Sequence, residues 1–164
     1  LNAQIPAGVD SGTRVQLVGR GEVGPGGGEA GDLYLEIIVK PHKTLHRNGD
    51  DLHSLINIPM TAATLGTTFQ FKTLSSQESV IVKPGIQSGT VITLRGKGMP
   101  RLRREGYGDL HLEINVETPS NLSEEQKILM KKLSELRNED DLKIEPEKIN
   151  ETSFFSRLKD AFSR

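Results

Sequence analysis

Short runs of alternating apolar and polar residues dominate the first 119 positions of the chain. Val15 and Leu17 alternate with Arg14 and Gln16, and Ile92 and Leu94 alternate with Val91 and Thr93. Leu33, Leu35, Ile37 and Val39 form a longer series, as do Leu110, Leu112, Ile114 and Val116. A period of two places alternate side chains on one face of a strand, so each run predicts a β-strand with one apolar face. Turn signals separate the runs: Pro6-Ala-Gly8, Gly19-Arg-Gly21, Pro84-Gly85 and Gly96-Lys-Gly98.

The runs belong to an internal repeat. Gly8 to Gly21 lines up with Gly85 to Gly98, and Gly31 to Ile37 lines up with Gly108 to Ile114. Both blocks keep one offset, 85 − 8 = 77 and 108 − 31 = 77, with no gap. A single offset across two separated blocks marks a duplicated β module. The copies are unequal. Copy two is preceded by strand-like segments over Leu52 to Ile58, Thr68 to Thr73 and Ser79 to Val82, and by a short predicted helix, Met60 to Leu65, ended by Gly66. Copy one has four residues before Ile5. If both copies build the same domain, the first half of domain one lies upstream of Leu1, and the chain is expected to begin inside a domain. Residues 40–51 read as a short polar linker with Pro41 and an Asn48-Gly49 turn.

After Pro119 the period changes. Ser123-Glu-Glu-Gln126 is a capping box, and Leu129, Leu133 and Leu136 recur at helical spacing as one apolar stripe. Residues 138–152 are acidic and read as mobile. A second short helix is predicted from Ser153, with Phe154, Leu158 and Phe162 on one face beside Phe155 and Ala161. So short a helix is marginal alone. Its apolar face packs either on its own domain or on a second subunit. The predicted fold is mainly β: tandem small antiparallel β-sandwich domains, the first one truncated, followed by C-terminal helices.

Composition narrows the function. With 21 Lys+Arg against 22 Asp+Glu in 164 residues, the net charge of −1 excludes a general nucleic-acid or polybasic membrane surface. No apolar run approaches the roughly 20 residues of a bilayer span. The absence of cysteine removes disulfides, thiol catalysis and cysteine zinc sites, and fits a reducing compartment. Gly19-Arg-Gly-Glu-Val-Gly24 matches a dinucleotide fingerprint as a string, yet Pro25-Gly-Gly-Gly28 follows and cannot open the required helix. It reads instead as a hairpin. His42, His46, His53 and His111 show no metal-ligand spacing and read as surface residues. Asp32 and Asp109 repeat at the offset and read as turn caps; Ser11 and Ser88 lie in Ser-Gly-Thr turns without a nearby His. Arg101-Leu-Arg-Arg104 is a solvated loop tip or a site for an acidic peptide. Asn121-Leu-Ser and Asn150-Glu-Thr are glycosylation strings with no sign of secretion beside them. A strand edge beside apolar surface is a natural receptor for an extended peptide. A carbohydrate- or peptide-binding β-sandwich module is the alternative reading; two tyrosines and no tryptophan give it little to stack a sugar on.

Several segments resemble one family closely: Ile5-Pro-Ala-Gly-Val-Asp-Ser-Gly-Thr-Arg-Val15, Gly31-Asp-Leu-Tyr-Leu35, Lys40-Pro-His42, Asp50-Asp-Leu-His53, Ala63-Thr-Leu-Gly66, Leu94-Arg-Gly-Lys-Gly-Met99, Glu117 to Gln126, and the tail from Ser153 to Phe162. Together they resemble the C-terminal region of bacterial DnaJ-type co-chaperones of the zinc-binding subclass. The resemblance covers essentially the whole chain. It implies a homodimer that binds unfolded or partly folded polypeptides and delivers them to a DnaK-type ATPase chaperone in the cytoplasm, without enzymatic chemistry, nucleic acid or membrane. It divides the chain into residues 1–43, the second half of a client-binding β-sandwich; 44–119, a second β-sandwich; and 120–164, a helical dimerisation segment and tail. It implies a client groove at Leu1, Ile5, Leu33 and Leu35, and dimer contacts at Leu129, Leu133 and Leu136. The family's J domain and its Cys-x-x-Cys repeats are not in this sequence. Zinc is therefore expected in a full-length parent and not in this chain.

Overall fold

The computed structural model describes residues 2–139; Leu1 and residues 140–164 lie outside the described residues. Contacts divide the chain into two units, Leu1–Pro119 and Ser120–Arg164. Among the described residues the first unit holds eight strands and a short helix. The order is β1 (Arg14–Leu17), β2 (Leu33–Glu36), β3 (His46–Asn48), β4 (Asp51–Pro59), α1 (Met60–Leu65), β5 (Thr67–Lys72), β6 (Gln77–Val82), β7 (Val91–Leu94) and β8 (Leu110–Glu117).

β1 and β2 form a separate antiparallel hairpin, with Val15 opposite Leu35 and Leu17 opposite Leu33. The strands β3-β4-β8-β7 make a four-stranded sheet, and β5 and β6 make a second hairpin. The expected antiparallel sandwich is corrected at one pair. β4 and β8 run parallel, from Leu52 opposite Leu110 to Pro59 opposite Glu117. Parallel neighbours need a long crossover, and the α1, β5, β6 and β7 segment supplies it.

The core of copy two lies between the four-stranded sheet and the β5–β6 hairpin. Leu45, Leu52, Val80, Leu110 and Leu112 form one buried cluster, with Phe69, Phe71, Ile92, Leu94 and Met99 packed against it. Ile58, Ala63, Val82 and Ile114 form a second. Ala63 is the buried residue of α1, and Gly66 (φ +79°) ends that helix as its sequence predicts. Each large side chain removed from water here contributes about 1.5–3 kcal/mol before ordering costs.

Residues 40–51, read as a linker, belong largely to this body. Leu45 is buried in the core and β3 pairs with β4, His46 facing His53 and Asn48 facing Asp51. Ser54, itself buried, donates its Oγ hydrogen to the Thr44 carbonyl at 2.9 Å. Arg47 donates to the carbonyls of Val9 (2.6 Å), Gly8 (2.9 Å) and Gly49 (2.8 Å). One guanidinium thus ties the first turn of copy one to the sheet of copy two. Gly8 (φ +84°) lies so close to Pro100 and Leu102 that a Cβ would collide with their backbone.

In the second unit, α2 (Glu124–Arg137) starts at the predicted capping box. Ser123 Oγ accepts from the Gln126 amide at 3.3 Å, and Gln126 Oε1 accepts from the Ser123 amide at 2.9 Å. Asn138 ends it in the left-handed conformation, φ +55°. The helix predicted from Ser153 lies outside the described residues.

Candidate functional site

The β1–β2 hairpin presents one apolar face. Val15, Leu17, Leu33 and Leu35 share it by register and are half-buried, as is Ile37 just beyond. Ile5, in the segment leading to the first turn, is 55 % exposed. Leu1, the fourth residue assigned to the groove, lies outside the described residues. The structure thus brings Leu33 and Leu35 together on one strand face.

Paired hydrogen bonds hold the hairpin, and copy two repeats them at the same offset. Asp32 Oδ1 accepts from the Gly19 amide at 2.9 Å, and Asp109 Oδ1 from the Gly96 amide at 2.8 Å. Ser11 Oγ accepts from the Val39 amide at 2.9 Å, and Ser88 Oγ from the Val116 amide at 3.1 Å. The acids are turn caps, as the sequence predicts, and the hydroxyls accept backbone amides. The Gly21 amide donates to the Gly31 carbonyl at 2.7 Å and the Gly31 amide to the Glu22 carbonyl at 3.0 Å, so the glycine string leads into a hairpin loop with no helix after it.

Three carboxylates sit below their ordinary range, and hydrogen bonding causes each shift. Asp32 is lowered by the Gly19 amide and then by Gln16. Asp51 is lowered chiefly by the Asp109 amide, with His111 and His53 adding attraction. Glu78 is lowered by Lys97 and Ser76. All three stabilise backbone or an ion pair.

The four histidines gather at one cleft of about 880 Å³, which sequence spacing does not reveal. Its lining includes Asp10 and Val39 from copy one, His42 and Leu45 from the intervening segment, and Leu55 and Val91 from the sheet. His46, His53, His111 and Thr93 occupy one row across the four strands. The His53 and His111 rings stack at 4.9 Å, and His111 Nε2 lies 3.6 Å from Asp51 Oδ2. His42 Nδ1 instead accepts from the Thr44 and Leu45 amides, each at 3.2 Å. Strand pairing across three segments makes the row. The basic cluster lies at a loop tip: Arg101 Nε is 3.8 Å from Asp50 Oδ2, and Arg103 is exposed at φ +58°.

On α2, Leu129, Leu133 and Leu136 are 61, 43 and 73 % exposed, with Ile128 beside them at 64 %. These leucines form one exposed apolar stripe along a well-capped helix.

Among the described residues no three His, Cys, Asp or Glu converge as metal ligands. Among the described residues no helix is long and apolar enough to cross a membrane.

The structure is thus a duplicated β module whose repeated acids and hydroxyls serve the backbone, with apolar side chains exposed or half-buried on a hairpin and a helix. Residues 1–119 match the DnaJ C-terminal domain, and the chain belongs to that family. It is 51 % identical to "Chaperone protein DnaJ 2" of Streptomyces avermitilis over 99 % of this chain and 43 % of that protein. It is 46 % identical to "Chaperone protein DnaJ 1" of Cutibacterium acnes, over 99 % of this chain and 44 % of that protein. It is 43 % identical to "Chaperone protein DnaJ" of Brucella anthropi, over 99 % of this chain and 42 % of that protein. The chain spans less than half the length of these relatives, all named as chaperones.

Proposed function

We propose that this chain is the polypeptide-binding and self-associating part of a DnaJ-type co-chaperone. Unfolded or partly folded polypeptides lay apolar side chains against Leu33 and Leu35, with Leu1 and Ile5 extending the surface. The observation that carries this reading is the β1–β2 face. Leu33 and Leu35 are only half-buried, whereas Leu110 and Leu112, their equivalents in copy two, are fully buried. Apolar surface left open is worth about 25 cal/mol per Å² to whatever covers it, before ordering costs. Leu129, Leu133 and Leu136 join two copies through α2, and in the cytoplasm a DnaK-type ATPase receives the client from the pair. No bond is made or broken.

The test is suppression of aggregation. The chain at micromolar concentration is expected to lower light scattering from a chemically unfolded protein, and the double variant Leu33→Ser/Leu35→Ser to lose most of that effect. Equal suppression by the double variant refutes the assignment. Sedimentation checks the second surface: Leu133→Asp is expected to convert a dimer into a monomer at tens of micromolar, the order of magnitude for a modest interface.

A further inference from the structure

Among the asparagines of the chain only Asn48 is followed by glycine. It ends β3, opposite Asp51, and Gly49 opens the turn to β4. Gly49 has φ +62°, a conformation that residues with a Cβ rarely adopt, so the turn itself calls for glycine there. The same choice leaves Asn48 open. Both residues are exposed, and a Cβ built on Gly49 would meet nothing. Among the described residues no protein group bonds the Asn48 side chain or the Gly49 amide. The asparagines inside the sheet are guarded by contrast. Asn115 Nδ2 donates to Asn57 Oδ1 at 3.0 Å, and the bulky Ile58 and Val116 follow them in their strands.

Asn48 also lies between the two ends of the tie that joins the copies. Arg47, its neighbour, donates from Nε to the Gly49 carbonyl at 2.8 Å. The same guanidinium reaches the Val9 and Gly8 carbonyls at 2.6 and 2.9 Å, and Nη1 lies 3.8 Å from Asp10 Oδ1. Asp50 and Asp51 follow in the turn. A carboxylate at position 48 would therefore crowd a third acid against them, within reach of the arginine.

We propose that Asn48 is a site of spontaneous covalent modification that loosens copy one from copy two. Solvent base removes the Gly49 amide proton, and the nitrogen attacks Asn48 Cγ. An N–Cγ bond forms, the Cγ–Nδ2 bond breaks, and the side-chain amide leaves as ammonia with a proton from water. Water then adds across the cyclic imide. Opening on one side gives aspartate; opening on the other gives an isoaspartyl residue, whose backbone runs through the former side-chain carbon. Nothing is oxidised or reduced, and water is the one co-reactant. Either product sets a negative charge beside Arg47, where it competes with the Gly8 and Val9 carbonyls for the guanidinium. The isoaspartyl product also lengthens the backbone between Arg47 and Gly49 by one carbon and parts Nε from the Gly49 carbonyl. This chemistry is independent of what the chain binds.

The test ages the 164-residue chain in mildly alkaline and mildly acidic buffer and maps its peptides by mass spectrometry. The Asn48 peptide is expected to gain the mass of an amide-to-acid exchange before any other, and faster in the alkaline sample. An isoaspartate-specific methyltransferase with labelled S-adenosylmethionine should mark the same peptide. Hydrogen exchange of the aged chain should speed up about tenfold at Gly12 and Ile37, the loss of one charge-assisted bond, and stay slow at Leu112 and Ile114. Asn48→Gln, whose longer side chain closes the ring poorly, should stay unmodified and keep the exchange pattern of the fresh chain. An intact Asn48 peptide in a sample where Asn57 or Asn115 has converted overturns the proposal. So does full protection at Gly12 and Ile37 in the modified chain, loss of protection throughout it, or the same change in aged Asn48→Gln.

Discussion

Gly8 and Gly85 occupy equivalent turns with nearly equal φ, +84° and +79°, yet their surroundings differ. A Cβ at Gly85 meets nothing, whereas one at Gly8 runs into the backbone of Pro100 and Leu102. Both alanine variants bear the strain of a positive φ, roughly 1–2 kcal/mol. Only Gly8→Ala must also push the turn away from the second copy. Urea unfolding is expected to rank Gly8→Ala well below Gly85→Ala; equal midpoints would contradict the packing described. The carboxylates give a pH signature. Asp32, Asp51 and Glu78 are all lowered in the folded chain. The unfolded chain therefore binds more protons at acid pH. The stability these groups contribute is present above their unfolded values, about 4, and is lost as pH falls through the folded ones. Urea midpoints should hold above pH 5 and fall below pH 4. Asp51→Asn should flatten that fall, and an unchanged profile would contradict it. The turn-cap roles of Asp32 and Asp109 were legible in the sequence because Asp beside a turn glycine has one common use.

At the scale of elements, period and caps located β1, β2, β4 to β8, α1 and α2 with small shifts at the ends. β3 was not legible. His46-Arg-Asn48 is short and polar, and it becomes a strand only because β4 offers an edge and Leu45 enters the core beside it. The parallel direction of β4 on β8 was hidden for a related reason: alternation reports a strand's face, never its partner. Arg47 is the main consequence of placing β3 here. Arg47→Ala leaves the Gly8 and Val9 carbonyls without their guanidinium partner, and each charge-assisted bond is worth about 1.5–3 kcal/mol. Hydrogen exchange should speed up at Gly12 and Ile37, whose amides close the copy-one hairpin, while Leu112 and Ile114 in β8 stay protected. Arg47→Lys should not restore it, since an ammonium cannot reproduce the fork. Uniform loss of protection across both copies would instead make Arg47 a general stabiliser.

For the whole molecule, the fixed offset made the duplication legible, and the two copies then part according to what covers them. Leu112 is fully buried in the core that β5 and β6 help to form, whereas Leu35 on the β1–β2 hairpin is half-buried. Leu112→Ala is expected to cost about 2–5 kcal/mol, the range for emptying a packed core site. Leu35→Ala should cost under about 1 kcal/mol, because little packing is lost. Urea titration of the two variants checks this, and equal costs would show the copy-one face already covered. The histidine row across β3, β4 and β8 was invisible in one dimension, since its members are neighbours only through pairing. The proposed client surface rests mainly on resemblance, because alternation marks Leu33 and Leu35 as apolar without saying whether their own chain covers them. Hydrogen–deuterium exchange of the chain with and without excess unfolded polypeptide tests that surface most directly. Polypeptide binding at copy one predicts new protection over residues 31–37 and unchanged exchange over Leu110 to Glu117. Protection confined to other segments, or none anywhere at saturating polypeptide, would contradict it.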